Sequence, residues 1–260
     1  VLFIRTKHTF RSELMAAMAT IFLLTLLQGG LAQDPASITV YFGSGCFWHV
    51  QHEFIKAEQS LLSRDSSTYT ALTGYAGGNR LNSFGHACYG DYGGLGHTEV
   101  VVMTIPSSKL ADFAVVFWDL FVGKNRVDVM DIGPDYRAAI GVPGGFASQY
   151  LQVVNASQAG RAARDGFWFE LKEGQGDDPD TLGQALVWVY DTERYPFYQA
   201  EVYHQFHDDF MPGGNYPQSY NALQAELLGD QRIVRTQCDA NSAPMSAASL
   251  MILALVVCLQ

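Results

Sequence analysis

The stretch Ser37–Leu62, SITVYFGSGCFWHVQHEFIKAEQSLL, holds a strand, a glycine turn and a helix in one run. SITVYF is β-branched and aromatic and stops at glycines, the pattern of a buried strand. CFWHVQHEFIKAEQSLL reads as a helix beginning at or just after Cys46. A cysteine at that joint gains twice. The free N–H groups and the dipole of a helix start favour an anion, which predicts a stabilised thiolate. The backbones of Gly43 and Gly45 let another group come close. The bland alternative is a small buried hydrophobe, the commonest fate of a free cysteine.

Outward from this unit, strand-like and helix-like segments alternate to about Phe210. STYTALTGYAGG reads as a strand entering a glycine turn. HTEVVVMTIP is a strong strand closed by Pro106. SSKLADFAVVFWDLF starts with serine caps and places Leu110, Phe113, Ala114, Phe117, Leu120 and Phe121 on one helical face. YRAAIGV and QALVWVYD are strands, ASQYLQVVNASQAGRAAR suits a weakly amphipathic helix, and AEVYHQFHDDF suits a helical turn. The segments Gly141–Gly145 and Asp177–Asp180 look like loops. Helices interleaved with partly adjacent strands suggest one α+β or α/β domain.

The chain has 260 residues, 48% hydrophobic, enough for one good core. A net charge of −10, with only 16 Lys and Arg, argues against nucleic acid as a partner. Its four cysteines are Cys46, Cys88, Cys238 and Cys258. None lies in a CxxC and no Cys/His cluster has zinc spacing, so no metal site is expected. Residues 1–33 form a candidate signal-peptide region. Met15 to Gln33 has a short apolar core followed by small residues. Val1 to Leu14 is either a basic leader or read-through ahead of a start at Met15 or Met18. The rest divides into a domain over 34–217, a polar extension over 218–243 and an apolar tail over 244–260. The tail follows small residues and resembles a glycolipid-anchor signal, which would give membrane anchorage; a marginal membrane helix and a plain apolar terminus are the alternatives. A secretory route makes Asn155-Ala156-Ser157 a candidate glycan site and places the protein outside the cell or on its surface.

Five blocks occur in order: GCFWHV, TGYAGG, GHTEVVV, DIGPDYRAAI and FYQAEVYHQ. Together they resemble the motifs of the A-type peptide-methionine (S)-S-oxide reductases, over roughly Ile38 to Phe210. The resemblance implies an α+β fold, a two-layer sandwich with a ferredoxin-like core and a mixed sheet. It implies Cys46 as the nucleophile toward a sulfoxide sulfur, with Phe47 and Trp48 walling an apolar pocket for the substrate methyl group. It makes Glu99 the proton donor to the sulfoxide oxygen. A carboxyl buried beside aromatics holds a proton near neutral pH. Asp131 and Tyr136 match a supporting carboxylate and phenol. His204 is expected to be a structural hydrogen-bonder and Arg137 a structural ion-pair partner.

The chain also departs from the pattern. His49 and Gln51 replace the usual glycine and glutamate after GCFW. Phe84 stands where an oxygen-binding tyrosine is usual, leaving Tyr89 or Tyr92 as substitutes. Pro217 stands at the place of a resolving cysteine. Turnover leaves Cys46 as a sulfenic acid, which a second thiol must resolve. Cys238, in a segment polar enough to fold back, is the candidate resolver, and Cys88 is the other. The competing expectation is a fixed Cys88–Cys238 disulfide, as a secreted chain permits.

The resemblance therefore implies reduction of methionine-S-sulfoxide, free or in proteins. No cofactor is implied, and electrons would come from a thioredoxin-like protein or a small thiol. The alternative is an inactive secreted relative that binds methionyl peptides without turnover. A cysteine hydrolase would need a histidine base beside Cys46, and only His49 and His52 are near in sequence.

Overall fold

A computed structural model describes residues 36–208 and 216–241. The expected signal region and apolar tail lie outside the described residues. Among those described, no helix is long and apolar enough to cross a membrane.

The opening unit folds as its sequence suggests. Strand β1 (Ser37–Gly43) leads into helix α1 (Phe47–Leu62) through Ser44, Gly45 and Cys46. Strand β2 (Leu72–Ala76) and strand β3 (Thr98–Pro106) follow, then helix α2 (Leu110–Asp119). A small hairpin of β4 (Phe121–Val122) and β5 (Asn125–Arg126) precedes β6 (Ala139–Val142). Helices α3 (Gln149–Ser157) and α4 (Ala159–Asp165) come next. Strands β7 (Glu170–Glu173), β8 (Leu186–Asp191) and β9 (Tyr198–Gln199) complete the sheet. Short helices α5 (Gln218–Asn221), α6 (Leu223–Gly229) and α7 (Gln237–Asn241) close the described chain.

The sheet has seven strands in the order β7-β8-β6-β1-β3-β2-β9. Its inner part, β6-β1-β3-β2, is the split β-α-β arrangement of a ferredoxin-like core. β1 lies antiparallel to β3 on one side (Tyr41 opposite Val102) and to β6 on the other (Tyr41 opposite Gly141). The added strands β8 and β7 run parallel to their neighbours, so the sheet is mixed. The α+β class and mixed sheet are those expected.

Alternation along β1 divides the core. Val40 and Phe42 face the helical layer, where Phe42 stacks on Phe54 of α1 at 5.1 Å and meets Phe117 of α2 at 5.3 Å. Tyr41 faces the other side, in a smaller cluster with Ala76, Val100, Ala139, Tyr190 and Tyr195. The expected apolar face of α2 is buried as written, although Phe121 belongs to β4. Three features differ from the sequence reading. The single long helix over 147–164 breaks at Gln158. Gly141 belongs to β6 rather than a loop. The strands β7 and β9 at the two sheet edges were too short or too charged to be read.

The C-terminal segment corrects a further expectation, that its polarity leaves it loose enough to fold back. Tyr220, Leu227 and Ile233 are buried in the main core. Gln224 donates to the carbonyls of Val202 and Gln205 at 2.8 and 2.9 Å. The Gln199 amide bonds both the carbonyl and the N–H of Val234. Asp239 accepts from the Val202 N–H at 2.8 Å. A disulfide joins Cys88 to Cys238 across 150 residues of chain. Closing so long a loop restricts the unfolded chain, and losing such a bridge costs about 2–5 kcal/mol. Cys238→Ser, or reduction of the native protein, should therefore lower the melting temperature by roughly 5–15 °C. Calorimetry with and without reductant checks this, and equal melting temperatures would show that the bridge carries no stability.

Candidate active site

The site is built where β1 hands over to α1. Cys46 is the N-cap of α1 and the one free cysteine among the described residues. Gly45 has φ +76°, and a Cβ there would meet the Asp128 carboxylate at 2.6 Å. A Cβ on Gly43 would meet the Glu99 carbonyl at 2.4 Å. The close approach that the two glycines permit is thus made by β3 and by the loop after β5. That loop continues as an Asx turn. Asp128 Oδ1 accepts the N–H groups of Met130 (3.0 Å) and Asp131 (3.3 Å), while Oδ2 accepts the Cys46 N–H at 2.8 Å.

Glu99 stands on β3, opposite Tyr75 of β2, and is 2% exposed. Its Oε2 accepts the Phe47 N–H at 2.9 Å, and the Tyr92 hydroxyl lies 3.1 Å from Oε1. Burial pushes its carboxyl well above the usual range, and the nearby Asp131 adds to this against the Phe47 hydrogen bond. Tyr92 stacks on Tyr75 at 4.5 Å and is in hydrogen-bonding reach of Tyr136. Asp131 reaches both the Cys46 thiol and the Asp128 carboxyl. Burial, and then the Asp128 charge, push Asp131 up to about 7.

These surroundings correct the expected thiolate. Burial raises the Cys46 thiol well above its ordinary value, and the charges of Glu99 and Asp131 raise it further. A hydrogen bond from the Trp48 N–H opposes them but is outweighed. The helix start does offer its N–H groups. Two of them are taken by Asp128 and Glu99 before the sulfur can use them. Resting Cys46 is a neutral thiol.

Phe47 and Trp48, 1% and 3% exposed, share an aromatic cluster with Tyr75, Tyr203, His204 and His207. The His204 ring packs within 4.3 Å of Tyr89, and burial holds it down at about 3. Its Nδ1 has no hydrogen-bond partner, so the ring packs rather than bonds, contrary to expectation. Arg137 is not an ion-pair partner either. Its guanidinium donates to the carbonyls of Gly77, Gly96 and Pro134 and to Tyr190.

The departures from the family pattern fall into place. Phe84 is 56% exposed on a turn built by Asn82, away from the thiol. Tyr92 stands beside Glu99, and Tyr89 lies near both Glu99 and Cys46, its phenol raised by burial and by their charges. His49 is turned toward Tyr216 at 3.4 Å, and His52 stacks on Tyr216, so neither histidine serves Cys46 as a base. Gln51 is fully buried and bonds Ala71, Phe206 and Tyr220. Pro217 caps α5. Cys238 is bridged to Cys88 and offers no thiol to Cys46. Sequence reasoning missed Asp128. The one available signal was an Asp two and three residues ahead of the N–H groups it binds, the spacing of an Asx turn.

A neutral thiol beside a buried, proton-holding carboxyl and three phenols defines an enzyme site for thiol chemistry on an oxygen-bearing substrate. The comparisons then identify the lineage. The peptide methionine sulfoxide reductase MsrA of Geobacter sulfurreducens is 31% identical over 182 residues, 67% of this chain and 91% of that protein. Those of Pseudomonas aeruginosa and Azotobacter vinelandii are 31% and 30% identical, spanning 74% and 69% of their lengths. Methionine sulfoxide reductase A of Corynebacterium diphtheriae superposes with a TM-score of 0.43 at 22% identity, over 73% of this chain and 87% of that one. No family model matches the chain. The chain belongs to the peptide methionine sulfoxide reductase A family.

The raised Glu99 carboxyl has a consequence for stability. A folded pKa above the unfolded one favours the native state below the unfolded value and loses that contribution as pH rises. Glu99→Gln mimics the neutral acid at every pH. It should melt higher than the native protein at about pH 8, with the difference closing toward about pH 4. Melting curves across this range check it, and a difference that does not vary with pH would show that Glu99 is not held protonated.

Proposed function

We propose that this chain reduces methionine-S-sulfoxide, free or in proteins, to methionine through Cys46. The observation that carries the reading is the pairing of Cys46 with Glu99 at the start of α1. Glu99 bonds the N–H of the residue that follows the nucleophile, so the two groups are held on one small frame. A sulfoxide sulfur is a poor electrophile until its oxygen is protonated. Glu99 accepts from the Phe47 N–H at Oε2 and from the Tyr92 hydroxyl at Oε1, and burial favours its protonated form as the donor to the sulfoxide oxygen. Tyr136 and Tyr89 supply further hydrogen bonds to the oxygen as negative charge develops there. The aromatic cluster around Phe47 and Trp48 receives the methyl group.

Reduction moves two electrons from Cys46 to the substrate sulfur and leaves Cys46 as a sulfenic acid. We infer that an external thiol completes the cycle, because Cys238 is already bridged. The first thiol forms a mixed disulfide with Cys46 and releases water. The second releases Cys46 as thiol. A thioredoxin-type protein or a small thiol fits this role. The N-terminal pattern and the Cys88–Cys238 bridge support a secretory location, where disulfides persist. Surface anchorage rests on the tail sequence alone. No feature of the site favours the inactive alternative.

The test is mass spectrometry after one equivalent of methionine-S-sulfoxide, with a sulfenic-acid trap present. Native protein should yield one methionine and a trapped Cys46. Cys46→Ser should yield none, since a hydroxyl is too weak a nucleophile at neutral pH. Glu99→Gln should slow the step by about 10²–10⁴-fold, the usual loss on removing a general acid. Equal yields from native protein and Cys46→Ser would sink the reading.

A further inference from the structure

The mechanism above leaves one proton without a destination. Cys46 rests as a thiol, and its proton must depart as the sulfur attacks. Among the described residues no histidine is placed to take it. The groups that face the sulfur are Glu99 from β3, Asp131 and Asp128 from the loop after β5, the Trp48 N–H, and the phenol of Tyr89. Glu99 is committed as the donor to oxygen, and a neutral phenol is no base. Asp131 is in hydrogen-bonding reach of the thiol and also of the Asp128 carboxyl.

Asp128 is 4% exposed and fixed by three backbone N–H groups, including that of Cys46. It cannot swing away from Asp131. A carboxylate in hydrogen-bonding contact disfavours the charge on its neighbour, so Asp131 holds its proton to higher pH than an isolated carboxyl. The nearby Arg126 lowers Asp131 but is outweighed by burial and by Asp128. Arg126 is engaged by Asp180 at 2.6 Å and by the Asp131 carbonyl at 2.7 Å.

We propose that Asp128 is a positioning residue that acts through Asp131, the two carboxyls forming the base that takes the Cys46 thiol proton. The proposal rests on the reductase reading and adds the route of the second proton. The thiol proton passes to Asp131 as the Cys46 sulfur gives up two electrons to the substrate sulfur. The substrate S–O bond breaks, and the oxygen leaves with the Glu99 proton as the hydroxyl of the Cys46 sulfenic acid. The proton on the carboxyl pair then returns to Glu99 through solvent, so the protein ends the step with no net gain or loss of protons. The substrate supplies the oxidising equivalent, and no further reagent is needed. Asp128 does two things here. It makes Asp131 a stronger base, and it keeps Cys46 protonated until a sulfoxide arrives.

The test uses Asp128→Asn and Asp131→Asn in the full chain with two readouts. The first is the alkylation rate of Cys46 by iodoacetamide against pH, followed on the Cys46 peptide, which requires no reductase activity. Each substitution removes a carboxylate from beside the thiol, so the alkylation midpoint should fall by about one pH unit or more. The second is the single-turnover rate of methionine-S-sulfoxide reduction against pH. Its acidic limb should lie near neutrality in the native protein. In Asp128→Asn it should move down by at least one unit, with a several-fold lower plateau, because Asp131 becomes a weaker base. In Asp131→Asn the limb should vanish. Asp128→Asn keeps an oxygen for the Cys46 N–H, and the Asp131 side chain bonds no backbone group among the described residues, so the second variant stands if the first fails to fold. A merely structural Asp128 would change rates while leaving midpoint and limb in place, and that result overturns the proposal. A shifted alkylation midpoint without sulfoxide turnover in native protein would uphold the carboxyl pair while removing the reductase reading.

Discussion

Two N–H groups at the start of α1 carry the whole site. A helix begins with backbone donors that have no partner inside the helix. Here the Cys46 N–H is given to Asp128 and the Phe47 N–H to Glu99. One bond ties the helix to the loop after β5 and the other ties it to β3. Because β1 is hydrogen-bonded to β3 on one side and β6 on the other, the nucleophile is fixed against the centre of the sheet. The same two bonds bring both carboxylates beside the sulfur. Anchoring the helix and surrounding the thiol with acids are one structural event.

That event inverts the usual logic of a reactive cysteine. Thiolates are ordinarily stabilised by cations and free helix donors. Around Cys46 two helix-start donors are taken by carboxyls, the Trp48 N–H is left to the sulfur, and the buried arginines hold other acceptors. Arg137 is buried in a cage of carbonyls, and Arg126 holds Asp180. A sulfur so placed gains its charge only as it reacts. The arrangement suits a substrate that takes up a proton at its oxygen while losing the bond to it. Three carboxyls, Glu99, Asp128 and Asp131, surround the sulfur in different environments, and the proposed acid and base roles rest on that difference.

Much of this was legible in the chain. The β1–α1 joint announced itself through β-branched residues, glycines and a helical run. The ordered motifs located Cys46, Glu99, Asp131 and Tyr136, and the structure brings all four to one place. What the sequence concealed depended on contacts across the fold. Nothing local to Cys46 says that its helix donors will be claimed by residues 52 and 82 positions away. The thiolate expectation therefore failed although the helix was read correctly. Phe84 drew attention as a missing phenol, yet the turn made by Asn82 points it to solvent, and Tyr92 reaches Glu99 from further along. The polar composition after Asp230 suggested mobility. The buried Ile233, the hydrogen bonds of Val234 and Asp239, and the Cys238 bridge pin the segment.

The bridge between Cys88 and Cys238 also bears on recycling. Cys88 directly precedes Tyr89, whose N–H bonds Glu201 at 2.9 Å and whose ring packs on His204 at 4.3 Å. Glu201 in turn bonds Tyr75 at 2.9 Å, the residue opposite Glu99 in the sheet. The disulfide thus closes a chain of contacts that ends at the proton donor. Drawing Cys238 across to Cys46 would first break the bridge, then free α7 from Val202, and would loosen the segment that presents Tyr89 to the cleft. A thiol that comes from outside leaves these contacts intact. Among the described residues the bridge leaves Cys46 as the one free thiol, which is the observation behind the proposal of an external reductant.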